Sequence, residues 1–157
     1  MKTHLVMIGR TDNEWLNLGI DIYYKRINRY VPFEAIVIQD VKRGSSMPEK
    51  VLKEKEGELI LKQIDTGDIL VLLDENGKQM TSRDFSAFIQ KQMLSGVRRL
   101  FFVVGGAYGF SDAVYKRSDF KISLSKMTFS HQMVRLIFAE QLYRAHTILN
   151  NEPYHHD

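Results

Sequence analysis

Short apolar runs alternate along this chain with longer stretches of amphipathic spacing. Residues 5–8 are apolar and close at Gly9, which predicts a strand. Over 13–29, Trp15, Leu18, Ile22 and Tyr23 recur near 3.6-residue spacing and predict a helix, stopped ahead of Pro32. Residues 33–39 read as a second strand. Pro48 suits the first turn of a helix running to about Ile64, rich in lysine and glutamate and so expected to present a solvated face. Residues 69–74 form a continuous apolar run that ends in Asp74. Such a run predicts a strand buried on both faces, as in a parallel sheet. Residues 75–78 read as a turn, and Thr81 or Ser82 caps a helix carrying Phe85, Phe88, Ile89 and Met93. A fourth strand, 100–104, runs directly into Gly105-Gly106-Ala107-Tyr108-Gly109. A short helix after Ser111, a weakly alternating strand over 120–124, a long helix over 131–149 and a short tail complete the chain.

Five strands alternating with helices predict a single α/β domain over residues 1–157, with a mostly parallel central sheet flanked by helices. Ligands of such sheets bind outside the carboxyl ends of the strands. Three places therefore warrant inspection: Leu73 with Asp74, the glycine cluster 105–109, and residues 125–130.

Composition narrows the chemistry. At 157 residues, with 44% apolar and 26% charged positions, the chain is long enough to bury its own core. It has no cysteine, which excludes disulfide scaffolds, thiolate nucleophiles and thiolate-held metals, and favours a cytoplasmic location. No apolar run approaches the roughly 18–20 residues of a membrane span, and the opening residues lead into a strand rather than a signal-peptide core. Net charge is +3, from 22 Lys+Arg against 19 Asp+Glu. The excess is uneven: residues 98–144 hold eight Lys/Arg and three acids. An anionic partner is permitted, not demanded. There is no GxSxG and no HExxH, so the plausible enzymes are those whose cosubstrate supplies the reactive atom.

Three glycines in five residues at a strand end can cradle a nucleotide-like ligand through the backbone, or simply form a tight turn. The pattern is neither a phosphate loop nor GxGxxG. Leu73-Asp74 reads equally as a core strand end. Ser130 can be a helix N-cap. His131 and Arg135, four apart, share one side of the last helix. That helix is apolar on more than one stripe (Val134, Phe138 and Leu142, but also Met133, Leu136 and Tyr143), as for a helix that is deeply buried or lies at a subunit interface. The tail Pro153-Tyr154-His155-His156 is either loose or functional.

Taken together, Gly105-Gly106-Ala107-Tyr108-Gly109, the segment 124–129, His131-Gln132-Met133-Val134-Arg135, Glu140-Gln141-Leu142-Tyr143-Arg144-Ala145 and Pro153-Tyr154-His155 resemble the large-subunit ribosomal RNA methyltransferase H family of the SPOUT superfamily. The resemblance covers the whole chain, the Lys42-Arg43-Gly44 segment included. It implies a sheet whose C-terminal part is threaded into a deep trefoil knot. It also implies a homodimer and methylation of N3 of a pseudouridine in 23S rRNA on the assembled ribosome, with S-adenosylmethionine as donor and no metal. The family's donor pocket carries over onto Leu73, Gly105, Leu124, Ser125, Lys126, Met127, Thr128 and Phe129. The catalytic candidates are Tyr154 and His155 in the tail, reaching the partner's pocket, with His131 and Arg144. Lys42, Arg43, Arg135 and His156 are the RNA-binding candidates. A sister enzyme acting on tRNA, a non-catalytic ribosome-binding module and a flavodoxin-like small-ligand binder are the competing readings. The chain departs from the common family pattern at Ala107-Tyr108, Ser130 and His156.

Overall fold

The computed structural model describes residues 1–41 and 47–156. The elements run β1 (Lys2–Ile8), α1 (Glu14–Ile27), β2 (Phe33–Ile38), α2 (Glu49–Leu61), β3 (Ile69–Gln79), α3 (Ser82–Leu94), β4 (Arg99–Val104), α4 (Asp112–Arg117), β5 (Phe120–Ser123) and α5 (Met133–Leu149). The five strands form one sheet in the order β2-β1-β4-β3-β5, and every pairing is parallel.

Both faces of the sheet are apolar because strand side chains alternate and both sets are hydrophobic. Leu5, Met7, Val71, Leu100, Phe102 and Val104 face α1, α3 and α5. Val6, Ile8, Leu70, Leu72, Phe101 and Val103 face α2 and α4. On the first face α5 lies between α1 and α3, with Phe138, Ala139, Leu142 and Ala145 buried.

Two elements differ from the sequence reading. β3 continues past Asp74 to Gln79, through what composition marks as a turn. Its register against β5 shifts, so that Leu73 and Lys78 both pair with Ile122. Gly77 allows this: a Cβ there would lie 2.6 Å from the backbone of Ile122. On α1 the buried positions are Leu16, Ile20 and Ile27, whereas Trp15, Leu18 and Ile22 are half or more exposed. The stripe read as core is the helix's outer face. Among the described residues no helix is long and apolar enough to cross a membrane.

Candidate active site

The carboxyl ends of β4 and β5 and the middle of β3 converge on one cavity of about 600 Å³. β3 contributes Leu73, Asp74, Glu75 and Asn76. The loop after β4 contributes Gly105 through Phe110, and the segment after β5 contributes Leu124, Ser125, Met127, Thr128 and Phe129. His131 and Val134, at the start of α5, close the cavity. The three strand ends singled out by the parallel-sheet rule thus meet at one place. Lys126 is exposed and does not line the cavity.

Each loop is held by its own residues. Gly109 donates its N–H to Gly106 at 3.1 Å, with a φ of +78° that suits glycine. The glycine cluster is therefore both a tight turn and a cavity wall. A Cβ on Gly105 would already lie 3.1 Å from the Phe110 ring. After β5, the Ser123 hydroxyl donates to the Ser125 carbonyl at 2.8 Å, and the Ser125 hydroxyl accepts from Met127 N–H at 2.9 Å. Ser130 Oγ accepts from Met133 N–H at 3.1 Å across the turn that precedes α5, but the N-cap residue of α5 is Gln132 rather than the expected Ser130.

One polar pair on the wall was not read from the sequence. The Tyr115 hydroxyl donates to Asp74 Oδ2 at 2.5 Å, while Asp74 Oδ1 accepts from Asn76 N–H at 2.8 Å. Burial and the Asp74 hydrogen bond push the Tyr115 phenol up to about 12. Asp74 is a fixed carboxylate on the wall, able to accept from a ligand hydroxyl or amine.

The tail candidates lie elsewhere in this chain. Arg144 is ten residues beyond Val134, about 15 Å along the helix axis. Its guanidinium donates to Glu140 Oε1 at 3.1 and 2.5 Å and lies 4.7 Å from the Tyr154 ring. The Tyr154 hydroxyl donates to the same Glu140 oxygen at 3.1 Å and stands 3.5 Å from the Tyr23 hydroxyl. The Arg144 Nη1 and His155 Nδ1 are 3.3 Å apart. Burial, then the Tyr23 contact and the Glu140 carboxylate, push the Tyr154 phenol above its ordinary value. None of Arg144, Tyr154 or His155 lines the cavity of its own chain. His131 does, and His156 is exposed.

Arg135 corrects the expectation that it contacts RNA. It is 1% exposed. Its guanidinium donates to the carbonyls of Ile8, Gly9 and His131 and to the Thr11 hydroxyl, all at 2.7–3.0 Å. These bonds tie the start of α5 to the exit of β1, and burial lowers its pKa from the ordinary arginine value. Lys42 and Arg43 lie outside the described residues. Among the described residues no group of three or more His, Asp or Glu is placed to hold a metal ion.

A second cavity, of about 170 Å³, adjoins the first and shares Gly106, Ala107, Tyr108 and His131 with it. It is bounded by Ile8, Asp40, Leu52 and Glu56. Glu56 belongs to the helix read as solvated, yet it is 8% exposed. The local signal was Gly57. A Cβ there would clash with the Ser111 hydroxyl, so this turn of α2 presses against the start of α4.

A family model described as "Predicted SPOUT methyltransferase" matches residues 1–155. The chain belongs to the SPOUT methyltransferase family. Relatives named Ribosomal RNA large subunit methyltransferase H are 59% identical over 156 residues in Christiangramia forsetii, covering 99% of each chain. The Parabacteroides distasonis relative of that name is 59% identical over the whole of both chains. Among solved structures, a probable methylase family protein from Haemophilus influenzae Rd KW20 aligns with a TM-score of 0.53 at 11% identity. That alignment covers 99% of this chain and 70% of the other. At that identity it bears on the fold alone.

Proposed function

We propose that this chain methylates N3 of a pseudouridine in the 23S rRNA of the large ribosomal subunit, using S-adenosylmethionine, on the assembled ribosome in the cytoplasm. The observation that carries the reading is the convergence of three separate segments, the loops after β4 and β5 and the middle of β3, on one cavity, in a chain whose relatives carry an rRNA methyltransferase name over their full length. A cavity of about 600 Å³ is in the range of small-ligand sites. Its lining fits such a donor: apolar Leu73, Val104 and Leu124 for a flat ring, the backbone of Gly105 and of the segment after β5 for its edges, and the fixed Asp74 carboxylate for a hydroxyl or amine. When bound, the donor supplies an electrophilic methyl on a sulfonium, so the protein's task is to orient the base and remove its proton.

The tail bears on assembly. Arg144, Glu140, Tyr154 and His155 form a preorganised cluster with no place at their own chain's cavity. A second copy supplies the natural solution: each tail completes its partner's cleft, His131 standing at the cavity side. The exposed apolar stripe of Trp15, Leu18 and Ile22 on α1, beside the tail's contact with Tyr23, is the surface that a homodimer would cover. In this reading Lys42, Arg43 and His156 meet RNA phosphate, and the last elements are threaded as a trefoil knot.

The test is methyl transfer from labelled donor to ribosomes and to tRNA from cells lacking this protein, with mass mapping of the product. Label at N3 of one pseudouridine in 23S rRNA is expected. Label on tRNA alone moves the substrate to tRNA. Donor binding without transfer to any RNA makes the chain a binding module.

A further inference from the structure

The smaller cavity has no part in the reading above, and Glu56 is its unusual member. Glu56 is buried, and its carboxylate accepts no hydrogen bond from the described residues. The residue as a whole is buried, but its carboxylate faces the cavity, where water or a ligand can bond it. Its contacts show that the group is kept accessible. A Cβ on residue 106 would lie 2.5 Å from Glu56 Oε2, so glycine there lets the carboxylate stand close against the loop that lines both cavities without shifting. Burial, then the charge of Asp40, raises Glu56 above an ordinary glutamate and makes it a better proton acceptor.

The volume is that of about six water molecules, enough for one planar ring and too little for a nucleoside. The polar groups around it are of both kinds. Glu56 and Asp40 accept; Tyr108 and His131 can donate. An imide edge, carbonyl–N–H–carbonyl, needs an acceptor between donors.

We propose that Glu56 is the proton acceptor for the target base, receiving the imide N–H in the smaller cavity while the donor fills the larger one. This rests on the methyltransfer reading above. The nitrogen forms a bond to the methyl carbon, and the carbon–sulfur bond breaks with its electron pair passing to sulfur. The N–H proton passes to the Glu56 carboxylate, leaving a neutral methylated imide, a neutral thioether and a protonated Glu56 that is later deprotonated by solvent. Burial and the Asp40 carboxylate set the ionisation of Glu56, and Tyr108 and His131 are the other titratable groups that line the same cavity.

The experiment uses the full-length protein, S-adenosylmethionine and large ribosomal subunits from cells lacking the enzyme. Glu56→Gln keeps shape and removes the acceptor. Donor affinity by calorimetry is expected to stay within about twofold, while single-turnover transfer falls about 10²–10⁴-fold, the range for a lost general base. The wild-type rate is expected to fall on the acid side, and the residual Glu56→Gln rate to climb steadily with pH. Asp40→Asn gives a second, milder probe: the acid limb is expected to move to lower pH, and the Glu56 carboxyl ¹³C resonance to titrate lower in step. Transfer within threefold of wild type in Glu56→Gln, or no movement of either titration in Asp40→Asn, overturns the proposal. Parallel loss of donor affinity and transfer also overturns it, placing Glu56 against the donor's ammonium instead. A wild-type enzyme that binds donor but labels no large-subunit RNA sinks the functional reading, and this one with it.

Discussion

The two ends of α5 are opposites. At its start, the middle of β3 and the loops after β4 and β5 line an open cavity of about 600 Å³. Along its second half, Arg144, Glu140, Tyr154, Tyr23 and Tyr143 are matched to one another. Cation stacks on ring, hydroxyl meets carboxylate, and ring edge meets ring face at 4.8 Å between Tyr143 and Tyr154. The first end is built to receive something and the second is already assembled. On the proposed reading the difference separates binding from delivery within one chain: one end would hold the donor, and the other would present a rigid group to a partner's site.

The sharpest way to break that contrast is to fill the receiving end. Gly105→Val adds a branched side chain where a Cβ already meets Phe110. Donor affinity by calorimetry is expected to fall by at least about 100-fold, or about 2.7 kcal/mol, with an unchanged elution volume. Normal affinity would remove Gly105 from the donor wall. At the other end, truncation after Glu152 removes Tyr154 and His155 but keeps the Tyr30–Glu152 hydrogen bond. Donor affinity should be retained and transfer lost by about 100-fold, the cost of a misplaced reacting group. Equal turnover by the truncated enzyme would show the tail cluster to be packing only.

Arg135 sharpens the comparison because it sits at the receiving end yet is fully paired. Arg135→Met leaves the carbonyls of Ile8 and Gly9 without their donor. It should cost about 3 kcal/mol and lower Tm by roughly 6–12 °C at this chain length. A variant that melts normally but binds RNA less well would restore the phosphate role. The smallest effect at neutral pH belongs to His146, 2% exposed, on the assembled half of α5. Burial lowers its pKa from 6.5 to about 4. The unfolded chain therefore binds the proton more readily, and the contribution is complete above pH 6.5 and lost as pH falls toward 4. Denaturant titrations across that window should show His146→Gln losing about 3 kcal/mol less than wild type. Identical acid limbs would place the acid sensitivity elsewhere.

Much of this was legible in the sequence. Apolar runs located β1, β3 and β4, because strands buried on both faces leave a continuous signal, while the half-exposed edge strands β2 and β5 left a weaker one. The strand-end rule then located the cavity, because in an all-parallel sheet the carboxyl ends share one edge. The failures have physical causes too. α1 is apolar on two sides, so spacing alone could not choose Leu16, Ile20 and Ile27 over Trp15, Leu18 and Ile22. The second half of β3 is polar and held by backbone pairing to β5, which leaves no hydrophobic trace. Arg135 and Glu56 are charged residues buried by tertiary contacts distant in sequence: Ile8 and Gly9 for the one, Gly106 for the other. The second apolar stripe of α5 is used in part within the chain, where the Leu136 side chain abuts Gly19 of α1. An interface was not needed to explain all of it.

The seat of α5 between α1 and α3 has a consequence for biosynthesis. β1 emerges early but its neighbour β4 comes about a hundred residues later, and Phe138 and Leu142 seal the core only after that. Such long-range closure folds slowly and leaves apolar surface open meanwhile. The nascent chain therefore waits, incomplete and sticky, until its last long helix has been synthesised, and chaperone dependence should track that interval.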